Sequence, residues 1–260
     1  MMLLAIAAAT AHTVPANAGI ILGRAGDFAV LAGSTVTNSG SSVIDGGDVG
    51  VSLGVSITGF PPGIVRDPFT FHAGDAAAAL AQTDLATAYN AAVGLTPTQT
   101  LSGTDLGGLV LTPGVYFFAS SAQLSGVLTL DNQGDASAEF VFQIGSTLTT
   151  AIGASVLTIN GGANPGSSVF WQVGSSATLG MNTAFEGHIL ALTSIALNAG
   201  TTILDGSALA RNGAVTLDTN TIINAVPEPS TSAMALAGLA CGGWQMWRRR
   251  RLRQAPTLAA

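Results

Sequence analysis

The chain has 260 residues, 48% apolar and only 8% charged, with 33 glycines, 28 threonines and 21 serines. All eight basic residues are arginine, and five of them (Arg248, Arg249, Arg250, Arg251 and Arg253) lie in the last thirteen positions, so up to residue 225 three arginines stand against thirteen acids, a formal charge of −10. Such a body has no basic stripe for phosphate, which excludes nucleic acid as a partner; its one cysteine, Cys241, excludes an internal disulfide and a cysteine metal site, and three histidines do not make a histidine-rich metal centre.

In chain order, Met1 to Ala11 is apolar and alanine-rich, and Ala16-Asn17-Ala18 has the small-x-small form of a signal-peptidase site. Residues 1–18 therefore read as an export leader, atypical in lacking a basic start, and residues 19–225 as the body. That length suffices for one domain with its own core and demands no obligate protein partner. Asp45-Gly46-Gly47-Asp48 reads as corner chemistry, because the calcium-binding nonapeptide repeat is absent, and GFPPGIVRDPF (Gly59 to Phe69) as a crossing loop. From Asp75 to Val93, DAAAALAQTDLATAYNAAV has neither proline nor glycine, with Asp75 placed as an N-cap and Gly94 as a stop. Ala77, Leu80, Ala81, Asp84, Leu85, Ala88, Tyr89 and Ala92 recur at helical spacing, a mainly small stripe suited to a helix laid closely along a wall.

Beyond the helix, short alternating segments recur. The leucines of Thr147-Leu148-Thr149, Thr178-Leu179-Gly180, Ala196-Leu197-Asn198 and Thr216-Leu217-Asp218 mark similar pieces; Leu179 to Leu197 is eighteen residues and Leu197 to Leu217 is twenty. Six residues after these last three leucines come Phe185, Ile203 and Ile223, each preceded two positions earlier by threonine (Thr183, Thr201, Thr221). Side chains alternate along a strand, so Ile195 and Leu197 point one way while Ser194, Ala196 and Asn198 point the other. Gly187, Gly206 and Asn212-Gly213 are corner residues. A coil of about 20 residues with three short strands is the unit of a three-sided parallel β-solenoid, whereas an antiparallel sandwich requires no such fixed register.

The end of the chain reads Val226-Pro227-Glu228-Pro229-Ser230, an apolar stretch from Thr231 to Trp247, and then an arginine run. Residues 226–253 resemble the PEP-CTERM sorting signal of Gram-negative bacteria, followed by a tail, 254–260. The resemblance implies an exosortase that recognises Val226, Pro227, Glu228 and Pro229, a transient inner-membrane span, and a product that is extracellular or on the cell surface.

FAVLAGSTVTNSG (Phe28 to Gly40), GDVGVSLGVSITGFPPG (Gly47 to Gly63), HAGDAAAALAQTDLATAYN (His72 to Asn90), LTPGVYFF (Leu111 to Phe118), FVFQIGSTLTT (Phe140 to Thr150), VFWQVGSSATLG (Val169 to Gly180) and Gly187 to Ile222 resemble, in order, the ice-binding-like family of domain of unknown function 3494 type. That resemblance covers Gly26 to Asn224. It implies a mainly β fold: a discontinuous right-handed parallel β-solenoid of triangular cross-section, with one long α-helix alongside and the N-terminal coil closing the stack beside the C-terminal coils. The implied partner is ice or its ordered water, met through one flat face, with antifreeze or recrystallisation-inhibiting activity and no cofactor.

Ice adsorption asks for a rigid array of small side chains that combine a methyl with a hydroxyl. Two stripes qualify. One runs through Thr129, Thr147, Thr178, Ala196 and Thr216, flanked by Gly180, Asn198 and Asp218; the other runs through Thr183, Thr201, Thr202, Thr219 and Thr221 around the next corner. Asn198-Ala199-Gly200-Thr201 best matches the loose Thr-Ala/Gly-x-Thr/Asn pattern of the family's active face, and Thr201→Tyr is the natural probe of it. Leu204, Glu186 and Asp218 interrupt neutrality. Glu186 and His188, two apart on one strand, would share a face, but a lone pair without a nucleophile or third group does not make an enzyme. Glycine stretches lack the βαβ setting of a nucleotide site, and Trp171 reads as packing. Two functions remain: an exported ice-binding protein, or a surface or matrix adhesion protein of the same fold without ice activity that binds polysaccharide or other cells.

Overall fold

In the computed structural model, residues 19–161 and 165–224 are described. Their strands are short and parallel, and form three sheets, here A, B and C, of nine, seven and eight strands. Each coil crosses A, B and C in turn and stacks on its neighbour at the spacing of hydrogen-bonded strands, about 4.8 Å. Alternation decides which side chains enter: in Ala177–Leu179 and Ile195–Leu197 the outer two residues are buried and the central one is not.

The chain does not climb the stack in order. Phe28–Ala32, Thr35–Ser39 and Val43–Asp45 build one coil; Asp48–Val51, Ser56–Thr58 and Ile64–Val65 build the next, with Phe71–Ala73 at that end of sheet A. Helix α1 (Ala76–Gly94) then carries the chain along sheet A, about 28 Å at 1.5 Å per residue, to the opposite end, where Gln99–Thr100 begins the return. The last coil comes to rest against the first, pairing Val30 with Ala208, Thr37 with Thr216 and Ile44 with Ile222. This is the discontinuous stack with N- and C-terminal coils adjacent.

The solenoid interior is apolar. Its largest feature is an aromatic ladder in which Phe142 and Trp171 stack at 3.9 Å with rings 7° apart, between Tyr116 and Phe185. Trp171 is fully buried and its indole N–H donates to the Glu186 carbonyl. Sheet A is buried on both faces: Leu31, Val115, Val141, Phe170, Leu190 and Leu209 point outward beneath the helix and form a second core with it.

The buried helix stripe is Ala78, Ala81, Leu85, Ala88, Tyr89 and Ala92. It is one residue off the expected stripe at its start: Ala78 faces in, Leu80 is 45% exposed, and Asp84 lies at the margin accepting from the Arg24 N–H. Asp75 is the N-cap, accepting from the Ala78 N–H, which with His72 holds its carboxyl below the usual range. At the other end the Gln143 amide donates to the Ala92 and Leu95 carbonyls, meeting acceptors the helix leaves open.

Two details of register differ from the pattern of the leucines. Leu148 pairs with Ala177, so Thr150 occupies the inward place that Leu124, Leu179, Leu197 and Leu217 hold in other coils. In the last coil the B-to-C corner is one residue shorter, so Ile222 rather than Ile223 pairs with Ile203, and Thr221 aligns with Thr202 rather than Thr201.

Candidate functional site

With sheet A covered by α1, sheets B and C are the two flat faces left open to solvent. On sheet B the central outward residues form one row in direct register: Gln123, Thr149, Thr178, Ala196, Thr216, Thr37 and Thr58. Six intervals of about 4.8 Å give the row a length of about 29 Å. Two residues before each of these, at the first strand residue or the one just ahead of it, stand Ser121, Thr147, Ser176, Ser194, Ala214, Thr35 and Ser56, a second row on the same side by alternation. Within this second row the Thr147 hydroxyl donates to that of Ser121 at 2.8 Å, and Ser176 and Ser194 hydroxyls accept backbone N–H groups from the next coil.

These two rows carry no charge and no aromatic ring. Threonine offers a methyl and a hydroxyl on a short β-branched chain whose χ1 is stiff, and a parallel ladder fixes the spacing of the backbones beneath. The surface is therefore a regular mosaic of small apolar and hydrogen-bonding groups. Asp218 stands at its edge, where its side chain accepts from the Thr219 hydroxyl.

Sheet C has the same geometry and different chemistry. One outward row reads Val127, Ser155, Ala184, Thr202, Thr221, Val43 and Ile64. Beside it Leu204 and Ile223 are 41% and 40% exposed, and Glu186 and Asp45 share their line. Burial raises the Glu186 carboxyl above its ordinary value against hydrogen bonds from the Thr158 hydroxyl and N–H, and Asp205 nearby raises it further; burial also raises Asp205. Bulky aliphatics and half-buried carboxylates make sheet C uneven.

The sequence-derived candidates divide among these places. Thr178 and Thr216 lie in the central row of sheet B, with Ala196 between them, and Asn198 is exposed at its edge. Thr147 belongs to the second row, while Thr129 stands on sheet C against Val110 and Leu157. Thr202 and Thr221 are paired on sheet C, and Thr219 sits exposed at the corner with φ 54°. Thr183 and Thr201 are fully buried, so they present nothing to a ligand: both hydroxyls turn inward to the Gly180 carbonyl. Glu186 and His188 do not share a face either, because Gly187 (φ 98°) turns the corner between them; His188 lies at sheet A, stacked on Phe170 and bonded to the Ser207 hydroxyl at 2.8 Å.

Sequence reasoning put Thr147 where the central row has Thr149, and missed Thr35, Thr37, Ser56 and Thr58. They lie far from Thr178 along the chain and repeat no leucine-centred motif, and only the return of the last coil onto the first brings them into the row. Their alternation in TVTNS and SIT is the signal that could have placed them on an outer face. The sorting residues Val226, Pro227, Glu228 and Pro229, like the leader, fall outside the described residues. Among the described residues no helix is long and apolar enough to cross a membrane.

The described residues thus form a helix-backed three-sheet solenoid with one neutral hydroxyl-bearing face. The chain belongs to the Ice-binding-like family, whose family model matches residues 30–223. It is 56% identical to an ice-binding protein of Nostoc sp. (strain HG1) over 247 residues, 90% of either chain. Among solved structures it resembles the ice-binding protein of the Antarctic ascomycete Antarctomyces psychrotrophicus (43% identity, TM-score 0.75, covering 80% of this chain and 98% of that one). It also resembles an ice-binding protein from an Antarctic biological consortium (46% identity, TM-score 0.74, 86% and 96%).

Proposed function

We propose that this protein adsorbs to ice through the outer face of sheet B, with Thr149, Thr178, Thr216, Thr37 and Thr58 as its central contacts. The observation that carries this reading is the in-register row of small hydroxyl and methyl side chains, about 29 Å long, on a face free of charged and aromatic groups along both rows. Family membership and the ice-binding relatives support it. Charged groups keep their own hydration shells and would disturb an ordered water layer, which argues for sheet B over sheet C. Thr202, Thr221 and Thr219 border the contact zone around the corner. The surface performs no covalent chemistry, so the protein acts as a binder and not as an enzyme.

The test is an ice-recrystallisation assay on the purified chain at micromolar concentration, with crystal shape recorded alongside. Suppressed grain growth and faceted crystals are expected. Ordinary growth in the presence of folded protein would refute the reading and direct attention to polysaccharide adhesion. A sugar platform would need exposed aromatics, and none lies in the two rows of sheet B.

Export belongs to the same proposal. Leader and sorting segment would carry the body across the inner membrane, an exosortase would remove the tail at Pro227-Glu228-Pro229, and the body would work outside the cell. Expected is that replacing Pro227 and Pro229 with alanine retains full-length chain in the membrane fraction; unaltered processing would refute this part alone.

A further inference from the structure

At the corner between sheets B and C the interior is polar. Thr150 stands in a column that holds leucine in four other coils and Asn38 in the coil beyond them, and Thr183 and Thr201 follow on the next two coils, all three threonines 4% exposed or less. The Gly180 N–H donates to the Thr150 hydroxyl at 2.8 Å; the Thr150 and Thr183 hydroxyls meet at 2.7 Å; the Thr183 hydroxyl donates to the Gly180 carbonyl at 2.7 Å, and that of Thr201 to the same carbonyl at 2.9 Å. With one hydrogen per hydroxyl, these bonds close a ring: Gly180 N–H to Thr150, Thr150 to Thr183, Thr183 to the Gly180 carbonyl.

The ring sits where the strand ladder lapses. Past two of the sheet B strands the ladder continues, the Ala151 N–H donating to the Leu124 carbonyl and that of Asn198 to the Leu179 carbonyl, whereas the Ser125 and Asp218 N–H groups, like that of Gly180, turn to side chains, those of Asp105 and Asn220. Between Leu148–Thr150 and Ala177–Leu179 the pairing stops at Thr149 and Thr178, and the Thr150 hydroxyl stands in for the carbonyl. Gly180 follows the strand of Thr178 and is buried against the neighbouring coil, and the approach is close: a Cβ there would lie 2.6 Å from the Thr150 carbonyl oxygen. Both backbone polar groups of Gly180 are thereby drawn inward at the level of the central threonines.

We infer that Thr150, Thr183 and Thr201 are positioning residues for ice adsorption, which keep sheet B flat across the junction between Leu148–Thr150 and Ala177–Leu179, where the ladder has only two paired residues. The inference rests on the assignment of the ice-contacting face to sheet B. A buried hydroxyl held only for stability would be as useful anywhere in the core; these three converge on one backbone unit at the corner, two residues beyond Thr178 of the row.

The experiment uses the full chain and reads the concentration that halts recrystallisation just below 0 °C, together with a thermal melt. Thr150→Leu restores the residue that other coils carry at this place, so it keeps the fold while removing the hydroxyl. Its expected effect is about a ten-fold higher concentration requirement. Thr183→Val should act alike and Thr183→Ser should restore native behaviour, whereas Ile203→Val, an interior change on sheet C, should lower the melt without changing ice activity. Native activity in folded Thr150→Leu, or an equal loss in Ile203→Val, overturns the inference. Thr178→Tyr is run in parallel: if it retains activity, the assignment of the face has failed, and if it abolishes activity while Thr150→Leu does not, only the positioning role has failed.

Discussion

Thr178→Tyr tests the assignment of the face most directly. Thr178 is half-buried in the middle of the row, between Thr149 and Ala196, with its side chain outside the core. The fold therefore tolerates a larger residue there. A tyrosine hydroxyl stands about 4 Å beyond the threonine side chain, roughly three covalent bond lengths. That gap takes the neighbours on at least one side out of contact with a rigid plane, since hydrogen bonds and dispersion both fade beyond about 3–4 Å. The row and its companion cover about 29 by 14 Å, near 400 Å², from strand spacing and residue rise. Losing half of that, with about half of the lost area methyl, costs about 2.5 kcal/mol at ~25 cal/mol per Å², a fifty- to hundred-fold weaker adsorption. The assay is the lowest concentration that halts recrystallisation, with a melt to show that folding is intact. An unchanged end point in a folded variant would refute the reasoning.

Thr37→Tyr should impair ice activity as strongly as Thr178→Tyr, because Thr37 pairs with Thr216 in the same row although it lies over 170 residues away from it in sequence; parallel recrystallisation assays decide this. Ala196→Thr completes the row between Thr178 and Thr216 and should lower the required concentration by about two- to three-fold, roughly half a kcal/mol. Thr201→Tyr should behave differently from both: its site is fully buried, so overpacking should lower the melting temperature by several degrees, at about 1–3 kcal/mol. Glu186→Gln should raise the melting temperature at pH 7 by about 2 °C. A carboxyl whose folded pKa is raised favours the fold only while protonated, so wild-type stability at this site is lost as pH rises. The advantage of glutamine should accordingly vanish as the pH falls below the ordinary glutamate value of 4.5, in melts run from pH 3 to 8.

The topology explains how a short chain builds a long face. A solenoid coil cannot bury its inner side alone, and a stack needs many coils before its face is wide. By running α1 along sheet A and inserting the N-terminal coils beyond the last one, the chain gains two rungs of sheet B, from Thr35–Ser39 and Ser56–Thr58. The helix also takes sheet A out of contact with solvent, since it lies over the outward apolar side chains of Phe170, Leu190 and Leu209.

Local chemistry was legible from the residues. The alanine-rich run without glycine could only be the helix, and Asp75 its cap. Alternation in ATL, IAL and VTLD marks which residues enter the core, and spacings of eighteen and twenty residues imply coils. Thr178 and Thr216 follow from that pattern alone.

Thr183, Thr201 and Thr221 look equivalent by the same pattern and are not. A strand repeats every two residues, so one residue fewer in a corner exchanges inside for outside; the shorter corner before Thr221 leaves it on sheet C while Asn220 takes the buried place. Corner length is set by how each turn fits against the coil above and below it, which periodicity along the chain does not contain. The union of Thr37 with Thr216 is likewise a matter of stacking between distant coils. The chain's own pattern establishes that there will be flat walls of threonine; which threonines share a wall, and which become its internal braces, is decided only when the coils meet.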